Sequence, residues 1–298
     1  MTGKSPTTQK IFLVYGPTGS GKTRMALEIA ERLDGEIISA DSRQIYRGLD
    51  IGTGKIMPGE MRGIPHYGLD LIDPDQTYNA AMFRDYAREK IQGIRSRGKT
   101  AVVCGGTGLY IDALIFDLDV PAFESDPEYQ SNLEKFRREH GNERLWQRLE
   151  ALDPEYAKEI HPNSYPYVMR GLEIIERTGV SKREYRSERR LGYDVMAVTP
   201  YSDEFRARLY ENINSRVDGM FRNGLVEETT ELLRQGFSPD SPGLRTIGYA
   251  ETCRFLAGEL TLERAMELVQ QGNRNYAKRQ VTWCKKYASL PHVSPGDM

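Results

Sequence analysis

The stretch Gly16-Pro17-Thr18-Gly19-Ser20-Gly21-Lys22-Thr23 constrains this chain more than any other. Its glycine spacing lets successive backbone N–H groups converge on a diphosphate with no side chain in the way. Lys22 supplies a cation to the phosphate oxygens, and Thr23 offers its hydroxyl to a magnesium ion bridging them. A helix starting there aims the positive end of its dipole at the same anion. A glycine-rich turn of no consequence is the competing reading, and the flanks decide against it. Ile11-Phe12-Leu13-Val14-Tyr15 is a continuous apolar run, as in a parallel strand buried on both faces. Met25, Ala26, Ile29, Ala30 and Leu33 then recur at helical spacing until Gly35. Strand, loop and helix agree, so the P-loop is read as real, with Lys22 facing solvent until a ligand arrives.

Two more strand ends meet this loop. Residues 36–41 read as a strand, with Asp41-Ser42 where the strand gives way to its loop, the end that faces ligand in open α/β sheets. Residues 100–104 are another buried strand, running into Gly105-Gly106-Thr107-Gly108 and a helix start. Asp41 has a capping alternative, since Asp before Ser-Arg-Gln suits the N-cap of a following helix. Thr107 has one too, a tight strand-to-helix turn, against a hydroxyl aimed into the cleft. Residues 66–72 read as a short strand and 77–97 as a helix with Ala80, Phe83, Ala87, Ile91 and Ile94 on one stripe.

Beyond Pro121 the pattern turns to charged helical segments at 128–140, 143–152, 154–161 and 167–178, followed by a highly charged 181–190. A strand pattern returns at 194–199. Residues 203–235 then read as one helix, with 249–256 and 262–287 as two more. The expected architecture is an α/β P-loop core with a parallel sheet, made of 1–120 and 191–298, carrying a helical insertion domain at 121–190.

Composition narrows the partners. At 39 per cent hydrophobic and 28 per cent charged, the 298 residues suit a soluble globular protein. No run approaches the ~20 apolar residues of a membrane span, and the polar 1–10 segment carries no secretory signal. Cys104, Cys253 and Cys284 are scattered, with neither a zinc spacing nor a disulfide framework, so a reducing cytoplasm is expected. A net charge of -2 does not announce a nucleic acid. The 271–286 stretch does point that way: Arg274, Lys278, Arg279, Lys285 and Lys286 occur without an acid, interleaved with Tyr276 and Trp283. A solvated helix face is the plainer alternative.

A P-loop beside a strand-end Asp supports two chemistries. In a small-molecule kinase the loop holds a nucleoside triphosphate and the Asp orients an acceptor hydroxyl. In a transferase that expels diphosphate, the loop holds the leaving group and the Asp takes a proton from the nucleophile. A nucleotide-dependent RNA-binding module without catalysis is the non-enzyme rival.

Resemblance separates them. Gly16 to Thr23, Ser39-Ala40-Asp41-Ser42-Arg43-Gln44-Ile45-Tyr46, Asp50-Ile51-Gly52-Thr53-Gly54-Lys55, Gly105-Gly106-Thr107-Gly108-Leu109-Tyr110 and Ala277-Lys278-Arg279-Gln280-Val281-Thr282-Trp283 together resemble the tRNA dimethylallyltransferases over nearly the whole chain. The resemblance implies transfer of the prenyl group of dimethylallyl diphosphate to the exocyclic amine of the adenosine just 3′ of the anticodon. It implies that Gly16, Pro17, Thr18, Gly19, Ser20, Gly21, Lys22 and Thr23 bind the diphosphate with Mg2+ on Thr23. Asp41 is implied as general base, Thr107 as a residue positioning the adenine, and Arg216 as a cation at the diphosphate. For the anticodon arm of tRNA it implies Asp41, Ser42, Arg43, Gln44, Thr107, Arg245, Thr246, Ile247, Gly248 and Tyr249, to which the basic stripe adds Arg274, Lys278 and Arg279. After His161-Pro162-Asn163 the family usually has an acidic residue and two arginines; here Ser164, Tyr165, Pro166 and Tyr167 follow, with Arg170 alone as the candidate. The zinc finger of eukaryotic relatives is lacking, so the bacterial form is expected, as a monomer with no membrane partner.

Overall fold

The computed structural model describes residues 10–116, 126–184, 191–202, 204 and 206–293. Five strands form one parallel sheet: β1 (Lys10–Tyr15), β2 (Gly35–Ala40), β3 (His66–Tyr67), β4 (Thr100–Gly105) and β5 (Asp194–Val198), in the order β3-β2-β4-β1-β5. Because every strand runs the same way, the loops after β1, β2 and β4 emerge at one edge. That edge carries the P-loop, Asp41 and Thr107.

The strands are apolar because both faces are covered. In β1 every residue after Lys10 is buried, and β2 is buried throughout. Helix α1 (Lys22–Arg32) buries Ala26, Leu27, Ile29 and Ala30 in one cluster with Phe12, Val14, Ile37 and Val102. Helix α2 (Ala80–Ser96) starts at Asn79, whose side chain accepts the N–H groups of Ala81 and Met82. Its stripe Ala80, Phe83, Ala87, Ile91 and Ile94 is wholly buried, each large aliphatic contributing about 1.5–3 kcal/mol. Helix α3 (Gly108–Ile115) follows β4 and packs on α2.

The described residues fall into two compact units, one within Met1–Ile115 and Leu191–Met298 and one within Phe116–Arg190. The first also holds α7 (Arg206–Arg222), α8 (Leu225–Arg234), α9 (Tyr249–Leu256) and α10 (Leu262–Cys284), around a second cluster of Ile45, Leu49, Val217, Leu225, Tyr249 and Val269. The second unit consists of α4 (Pro127–Leu152), α5 (Pro154–Ala157) and α6 (Tyr165–Thr178), closed over Leu133, Leu145, Leu149, Tyr156, Val168 and Leu172. The Trp146 indole N–H donates to the carbonyls of Ala157 (3.1 Å) and Ile160 (2.8 Å), tying down the end of α5.

Several element boundaries differ from the sequence expectation, each for a local reason. The helix expected over 203–235 is two helices, because Gly224 takes φ 103, which an α-helix cannot contain. The strand expected over 66–72 stops at Tyr67; Gly68 and Asp70 take positive φ and turn the chain, and Leu71 and Ile72 donate to the Ile45 carbonyl instead. No helix follows Asp41: residues 42–45 are turns, and Asp41 Oδ1 accepts the Arg43 N–H at 2.8 Å. The capping alternative for Asp41 therefore falls, and its carboxylate makes a local Asx-type turn. The expected insertion bounds at 121 and 190, and most of the charged 181–190 run, lie outside the described residues.

Candidate active site

A cavity of about 660 Å³ opens at the strand edge, entirely within the α/β unit. The P-loop forms one wall with Thr18, Gly19, Gly21, Lys22 and Thr23; Asp41, Arg43 and Gln44 form the next. Arg216 from α7 and Tyr276, Arg279 and Gln280 from α10 face them. Ala26, Ile37, Ile56 and Leu69 line an apolar portion. One space thus offers an anion cradle, cations, a carboxylate and an apolar surface.

The P-loop has its cradle shape without a ligand. Gly19 and Gly21 sit at φ +79 and +89, backbone angles that only glycine adopts without strain, and they turn the chain so that α1 begins at Lys22. Lys22 is half-buried and donates from Nζ to the Pro17 carbonyl at 2.7 Å, contrary to the solvent-facing lysine expected from sequence. Burial pushes its ammonium below the ordinary lysine range, with Arg216 adding repulsion and Asp41 pulling the other way. The Ser20 hydroxyl is buried and has no hydrogen-bond partner among the described residues, an orphaned donor that an anion in the loop would satisfy. Thr23 is exposed at the first turn of α1 and lines the cavity.

Arg216 crosses the cavity. Its Nη1 donates to Thr18 Oγ1 at 2.7 Å and its Nη2 to the Thr53 carbonyl at 2.9 Å. Burial holds this guanidinium below the usual arginine range as well. Two cations forced into partial burial with Asp41 as their acidic neighbour make a site short of negative charge, which a diphosphate supplies.

Thr107 sits just behind the cavity wall, where its side chain also hydrogen-bonds Tyr276. Its Oγ1 accepts the Ser42 N–H at 2.9 Å and donates to Ser42 Oγ at 3.2 Å, so Thr107 and Ser42 together brace the turn that carries Asp41. Gln44 reaches the Gly54 carbonyl at 3.3 Å. Arg245, Thr246 and Ile247 line the cavity, and the buried Thr246 hydroxyl has no partner among the described residues. Gly248 and Tyr249, expected at the tRNA surface, are buried; Tyr249 has no exposed surface and belongs to the helical core. Arg274 bonds Asn214 at 2.6 Å, joining α10 to α7 rather than standing free for phosphate. Lys278 is exposed and Arg279 lies 5.6 Å from the Tyr276 ring centre. Arg170 belongs to the other unit, where it pairs with the fully buried Glu173 at 2.6 Å.

Gln280, which stands within the 277–283 motif, has a role that the sequence did not assign. Its Oε1 accepts the Thr18 N–H at 2.7 Å and its Nε2 donates to the Gly106 carbonyl at 3.0 Å, fastening the P-loop to the loop after β4. Asn273, Tyr276 and Gln280 repeat at i, i+3 and i+7 along α10, a polar stripe that was there to be read as a cavity wall.

The family model described as IPP transferase matches residues 44–287, and one described as isopentenyl transferase matches residues 9–71. The chain belongs to the IPP transferase family. Among relatives in this family, a tRNA dimethylallyltransferase of Thermoanaerobacter sp. (strain X514) is 42% identical over 93% of this chain and 89% of its own length. One from Pelobacter propionicus, named tRNA dimethylallyltransferase 1, is 44% identical over 95% and 91%. The crystal structure of a tRNA isopentenylpyrophosphate transferase from Bacillus halodurans matches with a TM-score of 0.68 at 38% identity, covering 96% of this chain and 90% of that one. A eukaryotic dimethylallyltransferase acting on tRNA matches with a TM-score of 0.81 at 27% identity, over 97% of this chain and 74% of that one. The IPP transferase core is a P-loop NTPase-like fold, and the family handles its diphosphate substrate with a metal ion. Among the described residues no helix is long and apolar enough to cross a membrane.

Proposed function

We infer that this IPP transferase moves a dimethylallyl group from dimethylallyl diphosphate to the N6 amine of the adenosine just 3′ of the anticodon in tRNA, releasing diphosphate. The observation that carries this reading is the joining, in one cavity, of the P-loop, Arg216 and Asp41 with the apolar portion at Ala26, Ile37, Ile56 and Leu69. A five-carbon prenyl chain needs an apolar surface beside the diphosphate cradle, and this cavity supplies both together.

The amine attacks the allylic carbon, the carbon–oxygen bond to the diphosphate breaks, and the new carbon–nitrogen bond leaves a surplus proton on nitrogen. Asp41 accepts that proton, its Oδ1 being fixed by the Arg43 N–H while the carboxylate faces the cavity. Lys22, Arg216 and the N-terminus of α1 stabilise the charge gathering on the departing diphosphate. An exocyclic adenine amine is a weak nucleophile, so alignment carries much of the work. Thr107 and Ser42 secure the turn on which that alignment depends. To reach the cavity the adenine leaves its stack, and Arg43, Arg245, Ile247 and Tyr276 offer it polar and planar walls.

The donor set suits Mg2+. Thr23 presents one hydroxyl, and a hard cation of this size takes most remaining ligands from water and phosphate oxygens. No group of three or more His, Cys, Asp or Glu side chains among the described residues forms a rival metal site. Thr23 would hold such an ion, which would supply positive charge to the leaving diphosphate. The protein is expected to work as a monomer in the cytoplasm, with the 116–190 unit as an insertion serving the tRNA. Incubating it with unmodified tRNA, magnesium and dimethylallyl diphosphate and digesting the tRNA for mass spectrometry tests the reading. Prenylated adenosine is expected; nucleoside diphosphate released from a triphosphate in step with product would overturn it.

A further inference from the structure

Residues 50–55, Asp50-Ile51-Gly52-Thr53-Gly54-Lys55, meet the site described so far only through the carbonyls of Thr53 and Gly54, yet the polar atoms of the whole segment are firmly held. The Glu228 carboxylate accepts the backbone N–H groups of Asp50 (3.2 Å), Ile51 (3.0 Å) and Gly52 (3.4 Å), and the Tyr249 hydroxyl donates to it. Three converging N–H groups form an anion nest, and here the protein fills it with its own carboxylate. At the far end, Lys55 is buried and donates to Asp50 (2.6 Å), Asp70 (2.5 Å) and the Tyr46 carbonyl (2.8 Å). Thr53 Oγ1 closes the turn onto the Leu49 carbonyl at 2.6 Å.

What this anchored segment presents is the seat of Arg216. The Thr53 carbonyl takes Nη2 of Arg216, leaving Nη1 for Thr18 of the P-loop. Gly54, at φ +59, brings bare backbone against the guanidinium: a Cβ there would lie 2.1 Å from Arg216 Nη2. A guanidinium is planar and its donors are fixed in direction, so the place of one acceptor sets the aim of the other N–H groups.

We propose that Glu228 is a positioning residue for prenyl transfer, holding residues 50–52 so that Thr53 and Gly54 aim Arg216 at the diphosphate. The inference rests on the prenyl-transfer reading above. It gives the 50–55 motif a role and assigns one to a glutamate that lies far from it in sequence and does not line the main cavity.

The test is a double-mutant cycle on kcat/KM for dimethylallyl diphosphate at saturating tRNA, with Glu228→Gln, Arg216→Ala and both together. Glutamine offers one acceptor oxygen in place of two and turns an amide N–H toward the nest. Glu228→Gln is expected to lower kcat/KM roughly a hundredfold, the cost of moving a catalytic group by about 1 Å. In the Arg216→Ala background the same change is expected to cost less than about threefold, because the group it aims is gone. Titration with inorganic diphosphate, followed calorimetrically, is expected to show the same non-additivity. Equal losses in both backgrounds overturn the proposal, since a Glu228 that merely stabilises the fold acts whether or not Arg216 is present. If Glu228→Gln does not fold, Tyr249→Phe carries the same cycle under the same criterion: it keeps the buried ring and removes the hydroxyl shared by Glu228 and Gly52. Wild-type turnover is measured alongside. Its absence would sink the prenyl-transfer reading, while the diphosphate cycle would still judge Glu228.

Discussion

The two units differ in where their buried charge lies. In the α/β unit Lys55 has only 3% of its side chain exposed and is held by two carboxylates, while Lys22, Arg216 and Glu228 are partly buried and bonded to backbone or hydroxyl groups. In the 116–190 unit the pairs Lys158–Glu155 and Arg138–Glu134 lie three or four residues apart on helix surfaces, with Lys158 and Arg138 67% and 73% exposed. Glu173 is the exception there, fully buried and shared by Arg170, Gln130 and the Asp126 N–H. Breaking a buried pair strands a charge and costs roughly 3–5 kcal/mol, whereas a pair in water is screened and contributes little. Buried charge in the first unit gathers at the cavity and at residues 50–55, although exposed pairs such as Arg24–Glu28 and Arg264–Glu267 also dress its surface; in the second unit most pairs lie on helix surfaces. Substitutions should divide along the same line.

The largest effect is expected at Asp41. Asp41→Asn should cut the single-turnover rate by roughly a hundred to ten thousand, the usual worth of a positioned base, with tRNA affinity kept within a few fold. Quenched single-turnover reactions at saturating tRNA measure it, and an unchanged rate would move the base elsewhere.

Lys22→Ala comes next, raising the barrier by about 3–4 kcal/mol, as loss of a charge-stabilising donor does. Lys22 also gives a pH signature. Burial lowers its pKa in the free protein, and only the protonated form attracts diphosphate. Affinity for inorganic diphosphate should therefore fall as pH rises, with the fall centred below the pKa of an ordinary lysine. Calorimetry across pH on wild type and Lys22→Met checks this; the same alkaline fall in both proteins would assign it to another group.

A smaller effect sharpens the contrast at the surface of α10. Lys278→Ala with Arg279→Ala removes cations that are exposed, and should lower the slope of log tRNA affinity against log salt by about one to two units. Dimethylallyl diphosphate affinity should barely change. Because Arg279 also lines the cavity, the opposite pattern, weaker binding of the small substrate at an unchanged tRNA slope, would mean that it closes over the diphosphate. The smallest effect is expected in the second unit, where Lys158→Ala should leave the thermal midpoint and turnover where they are. A clear fall in either would break the comparison.

What the sequence disclosed follows how locally each feature is encoded. The strand, P-loop and α1 were legible because a continuous apolar run, the glycine spacing and the helical recurrence of apolar residues all lie within residues 11–35. Asp41 and Thr107 were legible as strand-end residues, though Thr107 proved to brace the Asp41 turn. The polar stripe that carries Gln280 is periodic, but its clamp onto Thr18 and the nest around Glu228 were not legible, because their partners lie 262 and 176 to 178 residues away and local spacing does not encode a hydrogen bond across that distance. Tyr249 was misplaced because a motif was read as a continuous surface, when Arg245 and Ile247 face the cavity and the tyrosine between α8 and α10 packs inward. The break at Gly224 was visible and was under-read, a glycine after asparagine being a poor place to continue a helix.

The bond from Thr18 to Gln280 bears on how the protein is made. A ribosome delivers Thr18 and, 262 residues later, Gln280. Until α10 emerges, the Thr18 N–H and the Gly106 carbonyl lack the side chain that fastens them. A nascent chain thus carries the diphosphate motif across those 262 residues without the fastened cradle, and a product truncated before residue 280 would hold the signature of the enzyme while missing the side chain that ties its P-loop to the loop after β4.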